Sequence, residues 1–164
     1  MALTKVLARN WICEVKNEMG VFIPVGGIET FEFGSGKMDA DTTDFYCEGW
    51  GEHIPAVRTR TVTINGFFLE DEETGERDPG QKIIDELANK VGQEGLGNFR
   101  LTSPGGTLYE FKGSVDPTGP GGGHADATSW GATITVSGKI TITGWNILSG
   151  AVRSGKTKDS DLNE

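Results

Sequence analysis

The chain has 164 residues, 35% of them hydrophobic, with 25 Gly and 6 Pro and a formal net charge of −9. That length fits one domain with a thin core, and the glycine content favours a β-rich domain with many turns over a helix bundle. The acidic balance excludes a surface that tracks phosphates, which needs clustered Lys and Arg to displace counterions.

Three short strand patterns open the chain at Trp11–Lys16, Val21–Val25 and Thr30–Phe33, separated by Asn17-Glu18-Met19-Gly20 and Val25-Gly26-Gly27-Ile28. The pattern then stops. Residues 34–55 combine Gly34-Ser35-Gly36 with Asp39, Asp41, Asp44, Phe45, Tyr46, Trp50 and His53, and are expected to form a long loop. Loops of this length carry function or are disordered, and three aromatics argue against disorder. A long strand rich in β-branched residues, 56–69, follows and ends in the acidic turn Glu70–Gly75.

One helix is expected over 79–91. Asp78 is its N-cap, Pro79 its first residue and Gln81 the partner in a capping box, while Ile83, Ile84, Leu87 and Val91 form an apolar stripe ended by Gly92. Phe99 and Leu101, then Tyr109, Phe111 and Val115, alternate around Ser103-Pro104-Gly105-Gly106 as a hairpin. After the glycine-rich stretch 118–123, a last long strand is read over 132–143, with apolar even positions and Thr, Ser or Lys at the odd ones. The expected organisation is one β domain over 1–148 and a flexible C-terminal arm over 149–164.

Chemical motifs are weak. Gly150–Thr157 matches the P-loop expression, but seven residues after Thr157 are too few for the helix that would hold phosphate. Starting at Asp39, an EF-hand loop would need Gly at 44 and Glu at 50, where Asp44 and Trp50 stand. His53, His124, Cys13 and Cys47 lack zinc spacing, and neither histidine has a partner set for nucleophilic catalysis. The two cysteines read as free thiols. No cofactor, metal or enzymatic activity is expected. The first ten residues lack a signal-peptide core and no segment approaches the ~20 apolar residues of a membrane span, which places the chain in a cytoplasm without membrane contact.

Taken together, Asp41–Pro55, Arg58–Thr63, Asp78–Gln81, Ser103–Thr107, Tyr109–Gly113 and Ile140–Gly144 resemble the tail tube protein of long-tailed bacteriophages, over about residues 10 to 146. The resemblance implies a mainly β fold, a β-sandwich or flattened barrel with one flanking helix. It also implies six-membered rings stacked into a tube through which DNA passes, assembled in the bacterial host cytoplasm and ending in the virion tail. Partners would be further copies and the tape measure, tail terminator and distal tail proteins, with DNA only in transit.

The 34–55 loop would reach the adjacent ring, making Asp39, Asp41, Asp44, Phe45, Tyr46, Trp50 and His53 stacking candidates. Thr59, Thr61, Thr63, Thr133, Thr135, Ser137, Lys139, Thr141 and Thr143 would line the channel, while Ile134, Val136, Ile140 and Ile142 meet the helix. Six copies at −9 each carry −54 formal charges, which would repel DNA and let it slide. The competing expectation is a monomeric carbohydrate-binding β-sandwich with Trp50, Tyr46 or Trp130 as stacking platforms.

Overall fold

The computed structural model describes residues 3–144. The chain forms strands β1 (Ile12–Lys16), β2 (Phe22–Pro24), β3 (Ile28–Asp41) and β4 (His53–Phe67), then helix α1 (Pro79–Ala88). Strands β5 (Leu96–Thr102), β6 (Leu108–Gly121), β7 (Ser129–Val136) and β8 (Thr141–Thr143) follow. All strand pairs are antiparallel, in the order β2-β1-β5-β6-β7-β4-β3, with β8 on β6. The fold is the expected β-sandwich with a flanking helix, and no hydrogen-bonded pair closes the sheet between β2 and β3.

The sheet nonetheless curls back on itself. Its two edges are consecutive in the chain, joined only by residues 25–27, and four residue steps span at most about 14 Å. Trp11, just before β1, therefore packs on Phe31 of β3 at 5.2 Å between ring centroids, and Tyr109 of β6 completes the cluster against Trp11 and Phe33. Inside lie Val15, Val62, Ile64, Phe99 and Ile134, all fully buried. Each contributes roughly 1.5–3 kcal/mol by leaving water.

Helix α1 begins as its sequence dictates: the Asp78 carboxylate accepts from the Gln81 backbone amide at 3.0 Å, with Pro79 at the first position. It ends one turn earlier than expected. Asn89 caps it by donating its side-chain amide to Asp85 O, and Val91, in extended conformation, is 88% exposed and outside the apolar stripe. Ile84 is fully buried.

Gln81 does not return to the N-cap as a capping box would require. Its side chain is fully buried and donates to Gly26 O (3.0 Å) and Phe67 O (2.8 Å) while accepting from the Leu69 amide (3.3 Å). It thereby ties the helix to the edge crossing and to the end of β4. The backbones meet so closely there that a Cβ on Gly66 would collide with Gly27 O, and Gly27 itself sits at φ 74°.

Two expected boundaries are corrected. Residues 34–41 are strand rather than loop: β3 runs on as the partner of β4 to Asp41↔His53, leaving only residues 42–52 as the connection. A ribbon with no core beneath it needs no apolar alternation, so its sequence carries no strand signal. The last strand is interrupted at residues 137–140, where Gly138 adopts φ 86°. Between Gly113↔Val136 and Glu110↔Thr141 this strand carries two extra residues, so its side-chain parity survives the break. Ile134 is buried and Val136 and Ile140 pack on the core, but Ile142 is 56% exposed and α1 lies mainly over β6. The expected arm at 149–164 lies outside the described residues.

Replacing Gln81 by Leu leaves two carbonyls and one amide without partners at a buried junction. The expected cost is about 2–4 kcal/mol, read as a lower urea midpoint at unchanged slope.

Candidate assembly surface

Residues directly opposite each other in an antiparallel pair share a face. By that rule the register brings four of the expected threonines together, Thr61 opposite Thr135 and Thr63 opposite Thr133. Ser114 and Asp116 of β6 extend these rows on one side and Glu32 of β3 on the other, residues that sequence reading missed because pairing partners are invisible in a strand pattern. Thr59 lies farther out, opposite Gly36. Ser137 and Lys139 fall in the interruption, and Thr141 and Thr143 stand on β8 opposite Glu110 and Leu108.

This polar face has mixed charge. Glu14, Glu32, Glu110 and Asp116 share it with Lys16, Arg100 and Lys112. Arg100 is engaged by Glu14 at 2.7 Å, which holds its guanidinium above its ordinary range, and it stacks 4.1 Å from the Phe22 ring.

Beyond Thr61↔Thr135, β4 keeps β3 as its only partner, and residues 35–41 and 53–60 leave the sheet as a two-stranded ribbon. Seven residue pairs at about 3.4 Å each make an arm of roughly 24 Å. Every β4 residue from 53 to 60 is exposed. Side-chain polarity reverses along this ribbon. At its root Phe31, Phe33 and Val62 face the core; farther out the same side carries Ser35 with Arg60 and Lys37 with Arg58. The opposite side begins as Gly34 with Thr61 and becomes Met38 with Val57, then Ala40 with Ile54. A one-residue bulge at Ala56 sets this last pairing. Met38, Val57 and Ile54 are 49–67% exposed, so the arm presents an uncovered apolar strip.

The tip is built by its own polar side chains. Asp41 accepts from the Thr43 amide (2.9 Å), Thr43 Oγ1 accepts from the Glu52 amide (2.9 Å), and Asp44 accepts from the Tyr46 amide (2.8 Å) and the Cys47 thiol (3.3 Å). Hydrogen bonds from the Thr43 side chain, and then from its backbone, hold the Asp41 carboxyl below its ordinary 3.8. Asp39 pairs with Lys37 at 3.1 Å, and His53 stands opposite Asp41. With the backbone so fixed, Phe45, Tyr46 and Trp50 project 80–105% exposed. All seven expected stacking residues are thus gathered at one end of the arm. Trp130 is buried at 2% and donates to Asp85, which removes it as a sugar platform. Among the described residues, no cluster of three His, Cys, Asp or Glu side chains is placed to hold a metal, and no helix is long and apolar enough to cross a membrane.

No protein-family model and no curated protein matches the chain. Solved structures do match. The tail of an empty gene transfer agent particle refined with C6 symmetry aligns over 84% of this chain and 98% of its own, at TM-score 0.60 and 16% identity. The fold is tail-tube-like. The virion of the native gene transfer agent particle aligns over the same shares at TM-score 0.57 and 17% identity. The 6-fold symmetrised anti-feeding prophage baseplate aligns over 87% and 98% at TM-score 0.59 and 8% identity. These likenesses establish the shared fold.

Both cysteines are free. Burial, with the adjacent Glu14 carboxylate second, pushes the Cys13 thiol up to about 12, so it stays neutral and unreactive across the working pH range. A thiol-reactive disulfide reagent at pH 8 should label one cysteine, Cys47, in the native protein and two in denaturant.

Proposed function

We propose that this chain is a structural subunit of a phage-type tail tube, without catalytic activity. Copies assemble into rings, six to a ring, and the rings stack around a channel that passes DNA. The observation that carries this reading is the ribbon arm. A two-stranded ribbon is marginal alone in water, and this one leaves an apolar strip uncovered in a fold shared with a tail and a baseplate of 6-fold symmetry. A neighbouring copy covers the strip, and the unpaired outer edges of β2 and β3 offer backbone groups for joining sheets side by side.

Thr61, Thr63, Thr133 and Thr135, with Ser114, line the channel as a hydroxyl surface; Thr59, Ser137, Lys139, Thr141 and Thr143 extend it. Net negative charge on the assembly keeps phosphates from adhering, while the mixed charge of the polar sheet face makes that wall less repulsive than the total of −9 per chain would give. The protein resides in the virion tail after assembly in the host cytoplasm and meets tape measure, terminator and distal tail proteins at the tube ends. A carbohydrate-binding monomer is the second reading, favoured only by the exposed Phe45, Tyr46 and Trp50.

Negative-stain microscopy of concentrated protein should show hollow rings or tubes. Deleting residues 39–50 should leave a cooperatively folding subunit that no longer polymerises. Tube growth unchanged by that deletion would remove the tip of the arm from the interface, and a species that stays monomeric at millimolar concentration while binding glycans would overturn the assembly reading.

A further inference from the structure

The tip of the arm and the N-terminal segment have complementary surfaces that the fold itself does not use. Residues 39–52 carry five carboxylates, Asp39, Asp41, Asp44, Glu48 and Glu52, and no Lys or Arg. Phe45, Tyr46 and Trp50 stand clear of them in solvent. Residues 3–10 carry Lys5 and Arg9 and no acid, with Leu3, Val6 and Leu7 54–101% exposed.

Beside that segment, between β1, β3 and the 25–27 crossing, lies a cavity of about 250 Å³. Trp11, Val25, Phe31 and Leu101 line it, together with the ionisable Arg9 and Glu29. An apolar cavity of roughly 150 Å³ admits a benzene ring, so this one has room for an aromatic side chain. Exposed aromatics ringed by acids on one surface are thus matched on another by a hollow of mixed lining, in which Trp11, Val25, Phe31 and Leu101 offer apolar contact beside the Arg9 cation and the Glu29 carboxylate.

We propose that the tip of one copy docks on the N-terminal segment of a second copy, inserting a tip aromatic into the cavity between β1 and β3 while Lys5 and Arg9 meet the tip carboxylates. The inference rests on the assembly reading and names the receiving surface for the arm. Within one copy the cavity lies beside the 25–27 crossing, walled by residues of β1, β3 and β5. Such a contact uses each surface once per copy and is heterologous, so it links copies head to tail into a ring or a filament and does not close on a dimer. Its charged part is screened by salt, and its aromatic part is not.

The test uses the full chain. In an Ala8→Cys variant, a short bis-maleimide should join the introduced thiol to native Cys47 of a neighbouring copy, giving a covalent ladder from assembled material. The ladder should vanish in the Ala8→Cys, Cys47→Ser background and from dissociated protein. Charge reversal should behave reciprocally. Lys5→Glu with Arg9→Glu, or Glu48→Lys with Glu52→Lys, should each reduce assembly at least about tenfold, and combining all four should restore it. Tubes that form normally but give no ladder, or that ignore both charge reversals, would overturn this contact and leave the tube reading intact. Wild-type protein that never assembles would instead remove the tube reading.

Discussion

The fold depends on a three-residue crossing. Residues 25–27 carry the chain from one edge of the sheet to the other, and this short span forces an open sheet of eight strands to curl until its ends face each other. So short a crossing leaves backbone polar groups at a junction of three elements, where water is excluded and every donor and acceptor must be met from within. Gln81 meets three of them from the helix, and Asp78 receives the Gly26 amide at 3.2 Å with the same carboxylate oxygen that caps α1. One buried amide side chain therefore fixes the helix, the crossing and the end of β4 relative to one another, and the aromatic cluster of Trp11, Phe31 and Tyr109 packs within the frame so defined.

Out of that frame grows an element with the opposite logic. The ribbon is continuous with β3 and β4, yet its two sides exchange polarity within a few residues of leaving the sheet. Root and arm answer to different surroundings: the root packs on the subunit's own core, and the arm's apolar strip lies on the reverse side, where the subunit has nothing to cover it. The separation is placed by the interruption at residues 137–140, which keeps β8 on β6 and ends the pairing of β4 with β7 at Thr61↔Thr135. A continuous last strand would have offered β4 a partner farther out and held part of the arm in the sheet.

Much of this was legible in the sequence. The β-rich class, the helix start at Asp78-Pro79, the hairpin around Ser103–Gly106 and the inward side of β4 and β7 followed from capping chemistry and period-two alternation. Beside the helix end, two strand boundaries were not, for physical reasons. Residues 34–41 pair along their whole length, but Gly34 and Gly36 give up their side of the ribbon to the hydroxyls of Thr61 and Thr59, so no side-chain alternation announces the strand. The break at 137–140 leaves parity intact and is therefore silent in a pattern that tests only parity. The functional surface was half legible: tip residues announced themselves by composition, whereas Met38, Ile54 and Val57 acquire meaning only once the register and the bulge at Ala56 set them on one side.

A single strand, β4, runs unbroken from the tip of the arm into the middle of the sheet. Antiparallel hydrogen bonds lie perpendicular to the strand. Tension applied to the tip along β4 is therefore borne as shear by the whole Thr61–Phe67 ladder with β7 at once, rather than opening it bond by bond like a zipper. The arm is in this sense a tether anchored for load, able to pass a longitudinal pull into the body of the subunit without first peeling its own root from the sheet.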